Sequence, residues 1–215
     1  MSDTDSFIEE VTEEVRRDRL FGLMRKYGWI GILLVVLTVG GAAYREWSIA
    51  TDRAAAEALG DNIIAALEQG DSGDRLLALN AIETADDSAV LVEFLRAAEA
   101  VEAGENSVAY AALESIAANP EFGQSYRDLA VLKHAMISGA DLSAAERAGL
   151  LEDIATPGRP FRLLAEEQLA MIDVENGDTD AAISRLQRIS NDSEVSAGLR
   201  QRVSQVIVAL GGEVE

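Results

Sequence analysis

The chain has 215 residues, 38 of them acidic and 18 basic, and no cysteine. Of the net charge of −20, −18 lies after residue 26 and disfavours nucleic acid and anionic lipid headgroups as partners for that part, and the missing thiol removes disulfides and cysteine catalysis. Three prolines, abundant Ala, Leu and Glu, and almost no strand-like alternation predict an all-α fold.

Residues 1–26 form an acidic tail, predicted to be cytoplasmic. Ser6-Phe7-Ile8-Glu9 has capping-box spacing, and Phe7, Ile8, Val11 and Val15 fall on one helical face. Glu9, Glu10, Glu13 and Glu14 lie largely off that face. A docking helix for a cytoplasmic or membrane partner and a marginal helix lying at the membrane or partly disordered both fit this pattern.

Residues 27–47 are the predicted transmembrane helix. No charge interrupts the 18 residues between Lys26 and Arg45. A helix of that length rises roughly 27 Å, close to the ~30 Å hydrocarbon core of a bilayer. Tyr27 and Trp29 stand at one end, Tyr44 and Trp47 at the other, as in interfacial aromatic belts. Arg16, Arg17, Arg19, Arg25 and Lys26 precede the span, and only Arg45 and Arg53 follow it closely. The positive-inside rule therefore puts the N-terminus in the cytoplasm and exports the rest. A buried core helix is disfavoured because the run has no polar face. A cleaved signal peptide has a passable site at Gly41-Ala42-Ala43, but its apolar region would be shorter and its leader basic.

Residues 48–215 are the predicted periplasmic domain. From residue 27 onward there are 31 acidic and 13 basic residues, a net charge of −18. After Tyr44 the pattern stays helical through Ala54, Ala55, Ala58, Leu59, Asn62, Ile63, Ala66 and Leu67, which allows the membrane helix to continue into the domain. Beyond it, Gly70-Asp71, Gly104-Glu105, Gly139-Ala140 and Gly177-Asp178 mark turns spaced by 34, 35 and 38 residues. A period near 34 is that of the tetratricopeptide helix–turn–helix unit. Five residues after each glycine stand Arg75, Ala109, Ala144 and Ala182; nine after, Leu79, Leu113, Ala148 and Leu186; twelve after, Ile82, Ile116, Leu151 and Ile189. The last two columns are apolar throughout, and the first is small in three units. The W-x2-L-G-x2-Y signature is missing, and irregular helices with glycine C-caps remain the rival reading.

Capping signals predict the helices. Asp86-Asp87-Ser88 precedes one over 89–103, and Asn119-Pro120 opens 120–138. Ser143-Ala-Ala-Glu146 is a capping box for 144–155. Pro160 starts 160–176, after the loop insertion Thr156-Pro-Gly-Arg-Pro160. Asp178 or Thr179 caps 180–190, and a last helix over roughly 193–210 ends at Gly211-Gly212. Having no partner helix, it is predicted to close a tetratricopeptide-like α-solenoid as its C-terminal cap.

The layout resembles the bacterial ancillary SecYEG translocon subunit family, the YfgM-like inner-membrane proteins. The resemblance rests on the Phe7–Val15 tail, the aromatic entry at Gly28-Trp29, the exit at Tyr44 and Trp47, and the unit Gly177-Asp178…Ala182…Leu186. It implies a single-pass bacterial inner-membrane protein that associates with the SecYEG translocon and with periplasmic chaperones. It carries no catalytic residue over.

Signals for chemistry are weak. His134 is the only histidine and lies among Leu132, Ala135 and Met136, where packing or solvent exposure is expected rather than metal binding. Gly70-Asp-Ser-Gly-Asp74 lacks the ligand spacing of a calcium loop and reads as a polar turn. The lysines are only Lys26 and Lys133, and no phosphate loop exists. Glu166-Glu167 and Glu152-Asp153 read as solvated helix faces. No catalytic, cofactor or metal site is therefore assigned, and no small-molecule substrate is expected. The expectation is a membrane-anchored scaffold, tied to the translocon or serving as an assembly factor for another envelope complex. An unrecognised enzyme is the least supported class. Partner contacts are expected from exposed residues of 89–103, 120–138 and 160–176.

Overall fold

The computed structural model describes residues 3–84, 88–139 and 141–213, with side chains at 17, 21, 22 and from 24 onward. Among the described residues every regular element is helical: α1 (Asp3–Leu67), α2 (Ser72–Asn80), α3 (Ala89–Glu102), α4 (Asn106–Ala118), α5 (Gln124–Ile137), α6 (Ala144–Glu152), α7 (Arg162–Glu175), α8 (Thr179–Ser190) and α9 (Ala197–Ala209). The all-α expectation holds. The chain divides into two compact units, Met1–Ala58 and Leu59–Glu215.

The first unit is helical throughout its described length. α1 contains no proline, and it already runs from Asp3, so Ser6 stands inside the helix and not at its start. The tail face of Phe7, Ile8, Val11 and Val15 lies outside the described side chains. Within α1 one segment is long and apolar enough to cross a membrane, and none of it is buried. Thr38 donates its hydroxyl to the Leu34 carbonyl at 2.6 Å, so its polar atom is satisfied inside the helix, as hydrocarbon would require. The Tyr44 and Trp47 rings lie 6.2 Å apart at the far end.

The second unit keeps its core in overlapping clusters. Val90, Ala97, Leu113, Ile116, Phe122 and Ala130 join α3, α4 and α5. Leu132, Ala135, Leu151, Ile154, Ala165, Leu169 and Ile172 join α5, α6 and α7. Ala170, Leu186, Ile189, Val203 and Ile207 join α7, α8 and α9. A smaller cluster of Leu76, Ala100 and Ala109 ties in α2. Consecutive helices pack together from α2 to α9, and α5 also touches α3 and α7. Buried alanines at 97, 100, 109, 130, 165, 170 and 182 remove the side-chain bulk that would hold helix axes apart.

The repeat columns fall in this core. Leu79, Leu113, Leu151, Leu186, Ile116 and Ile189 are buried, as are Ala109 and Ala182, whereas Ile82, Ala144 and Ala148 are half-buried. Arg75, the exception in its column, bridges α2 to α3 through a 2.7 Å bond from Nε to Glu99. An ion pair there replaces small-residue contact. Gly104, Gly139 and Gly177 have positive φ, where a Cβ would be strained. The amide after Gly104 bonds the Ala100 carbonyl and that after Gly177 the Asp173 carbonyl, both at 2.9 Å or less, closing α3 and α7. Gly70 is not among the positive-φ glycines, and Ala140 lies outside the described residues.

Several helix starts differ from expectation. The capping box at Ser143 and Glu146 is formed, and Asp178 caps α8. Asp86 and Asp87 lie outside the described residues, and Ser88 stands at the N-cap position of α3. Pro120 does not open α5. Asn119 turns its Oδ1 onto the Glu121 amide at 3.0 Å, a local Asx turn that sends Phe122 into the core and delays the helix to Gln124. Pro160 likewise precedes α7, which begins at Arg162. The last helix begins at Ala197, capped by Ser196, because Asp192 and Glu194 are held outside it by Arg162.

Replacing Leu186, which is fully buried, by alanine should cost about 2–5 kcal/mol. Leu91→Ala, at a residue 52% exposed, should stay within about 0.5 kcal/mol of the parent. Urea unfolding of the full chain followed by far-ultraviolet circular dichroism separates the two.

Candidate partner-binding cleft

α5, α7 and α9 wall a half-open cleft of about 480 Å³. α5 supplies Leu132 and Met136, one helical turn apart. α7 supplies Leu164, Glu167, Gln168 and Met171, which recur at helical spacing along one face. α9 supplies Arg202 and Val206. Met136 is 56% exposed at the mouth, and Leu132 is buried at the base.

The charged part of the wall is an internal pair. Glu167 is buried, and Arg202 reaches it in a two-pronged contact, Nε to Oε1 at 2.5 Å and Nη2 to Oε2 at 2.7 Å. The planar guanidinium matches the carboxylate, so both charges are met by hydrogen bonds. The Glu167 bond holds Arg202 above the ordinary guanidinium range, against the opposing pull of burial. Across α7, Arg185 bonds Glu166 at 2.6 Å and Asp173 at 3.0 Å. Glu166-Glu167 is therefore not the solvated face expected from sequence. α8 packs on one side of α7 and α9 approaches another, so each carboxylate meets an arginine from a different helix. Glu152 and Asp153 are exposed, as expected.

Other polar clusters lie away from this cleft. His134 is buried, its ring stacked on Tyr110 with centroids 5.1 Å apart. Tyr110 donates its hydroxyl to Asp141 at 2.6 Å, and that carboxylate pushes the phenol pKa up. Asp128 is buried against Arg159 at 3.0 Å. The Gly70–Asp74 run serves as a cap, with Asp71 Oδ1 accepting the Asp74 amide at 2.8 Å. Among the described residues no three His, Asp or Glu side chains converge as metal ligands.

Of the three helices expected to contact a partner, α5 and α7 line the cleft and α3 does not. α9, read from sequence only as a cap, forms its third wall. A compositional signal was available: of the four methionines, only Met136 and Met171 belong to the second unit, and both face this cleft. No protein-family model, curated protein or solved structure matches this chain.

Arg202→Met leaves the Glu167 carboxylate buried without its partner and should cost about 1–3 kcal/mol. Adding Glu167→Leu should recover most of that loss, since a buried pair exchanged for apolar groups is close to neutral. Denaturant midpoints of the two single variants and the double variant test this coupling.

Proposed function

We propose that this protein is a membrane-anchored interaction scaffold whose second unit is a tetratricopeptide-like solenoid. Its cleft would receive another protein. The reading is carried by the apolar cleft between α5, α7 and α9, on a chain that also carries a helix long enough to cross a bilayer. The overlapping three-helix clusters and the buried apolar columns support the solenoid: each unit hands its core to the next, as stacked repeats do. In this frame α3, α5 and α7 form the inner row and α9 closes it.

The topology proposed is a cytoplasmic N-terminus, one crossing of the bacterial inner membrane and a periplasmic second unit. The excess of Lys and Arg before the span supports that orientation. Tethering raises the local concentration of the cleft near a membrane-embedded partner, so modest affinity suffices. We assign the SecYEG translocon and periplasmic chaperones as partners. The grounds are the resemblance of tail, span and repeat layout to the YfgM-like family.

The experiment is co-purification from membranes in mild detergent, comparing the full chain with one ending at Leu67, where α1 stops. Translocon subunits should accompany both chains, and chaperones only the full one. Enrichment of a different envelope complex in place of the translocon would overturn the assignment of partners.

A further inference from the structure

We propose that the part of α1 bearing Arg17, Arg25 and Lys26 binds anionic phospholipid headgroups on one side of the bilayer. This rests on α1 crossing a bilayer and is independent of which protein partners the second unit takes. The two ends of the span are chemically unlike. Residues 16–26 hold five basic residues and one acidic residue, whereas residues 45–55, beyond the span, hold two of each. Residues 1–15 hold six acidic residues and no basic one. Positive charge is therefore confined to a short band bordering the apolar run, and a surface of anionic lipid attracts such a band.

In the second unit arginines are committed to the fold. Arg75, Arg96, Arg147, Arg162, Arg185 and Arg202 are each bound to a carboxylate of the same chain. Arg25 and Lys26 have no carboxylate at a neighbouring helical position. Residues three and four away are Phe21, Gly22, Gly28 and Trp29 for Arg25, and Gly22, Leu23, Trp29 and Ile30 for Lys26. The Lys26 ammonium lies 5.4 Å from the centre of the Tyr27 ring, a contact that keeps its charge. An anion supplied from outside the chain would meet both cations.

Geometry assigns that anion to a lipid. At about 100° of rotation per residue, Arg17, Arg25 and Lys26 project from three different sides of α1, and all three are exposed. A helix lying flat on a membrane gathers its cations on one face. Cations spread around the axis suit a helix that passes through the headgroup layer and meets lipid on several sides. A bilayer of ~40–45 Å with a ~30 Å core leaves about 5–8 Å of headgroup layer on each side. Arg25 and Lys26 border the apolar run and fall in that layer. Arg17 stands roughly 14 Å farther along the axis from Lys26, past the headgroups but within a Debye length of about 8–10 Å of them. A zwitterionic headgroup carries its own cation, so an anionic one is the better match for this band.

The chain supplies a reporter at each end of the span. Its two tryptophans are Trp29, one helical turn beyond Arg25 and Lys26, and Trp47, at the far end. The full chain is reconstituted in phosphatidylcholine vesicles that contain the same fraction of either dibrominated phosphatidylcholine or dibrominated phosphatidylglycerol. The bromines quench the fluorescence of an adjacent indole. Trp47→Phe leaves Trp29 as the reporter, and Trp29→Phe leaves Trp47. Phosphatidylglycerol should be preferred about fivefold at Trp29, the factor that about one basic residue contributes at an anionic surface, and not preferred at Trp47. High salt should diminish the preference. Adding Arg25→Gln and Lys26→Gln to the Trp29 reporter should lower it about threefold or more, whereas Arg45→Gln should leave it unchanged. Circular dichroism verifies that the variants stay helical. Equal quenching of Trp29 by the two lipids, the same preference at both tryptophans, or a preference that survives the glutamine changes would overturn the proposal. Equal quenching is also the result expected if acidic residues of a second copy cover these cations. If neither lipid quenches either tryptophan, the span and this proposal fall together. If the lipid preference holds while no translocon subunit co-purifies, the assignment of partners alone falls.

Discussion

Between Lys26 and Arg45, α1 turns apolar side chains outward on every side, and the protein covers none of them. Trp29, Ile32, Leu34, Val36, Leu37 and Val39 are each about 60–70% exposed, an arrangement that costs about 1.5–3 kcal/mol per large side chain in water relative to burial. A bilayer removes that cost, and a backbone bonded within its own helix can enter hydrocarbon without orphaned polar groups. The rest of the chain follows from this constraint. The second unit must fold with a core of its own, because the longest apolar segment contributes nothing to it.

That core is assembled from short helices with small contact residues. Alanines at the buried positions of α3, α4, α5, α7 and α8 let neighbours approach, and leucines and isoleucines fill the spaces between them. Arginines then link helix to helix: Arg75 joins α2 to α3, Arg147 of α6 meets Glu175 of α7, Arg185 joins α8 to α7, and Arg202 joins α9 to α7. These contacts are at least half-shielded at one partner, where geometry and hydrogen bonding matter more than at an open surface. In a chain without cysteine they set which helix faces which. They also explain the neutral cleft inside a strongly acidic molecule.

Much of the fold was legible because its signals are local. The capping box at Ser143 and Glu146, the Asp178 cap, the positive-φ glycines at 104, 139 and 177, and the buried columns at 113, 116, 186 and 189 each depend on residues close in sequence. Asn119-Pro120 misled because two local structures compete there, and burial of Phe122 favours the Asx turn over an immediate helix start. Glu167 was misread for a different reason. Periodicity locates it on a helix but is silent about Arg202, 35 residues on in sequence and two helices later. The cleft was partly hidden by the same non-locality: two of its walls came from helices expected to contact a partner, and the third came from α9.

The central claim is the topology, since the scaffold reading needs the span crossed once with the second unit exported. The native chain has no cysteine, so a single introduced thiol is a unique reporter. We would place one at Ser2, in the tail, and separately one at Gln205, on an exposed position of α9. Intact spheroplasts would then be treated with a membrane-impermeant maleimide. The account predicts labelling at position 205 without lysis and at position 2 only after it. Labelling of position 2 in intact spheroplasts, with 205 protected until lysis, would contradict it.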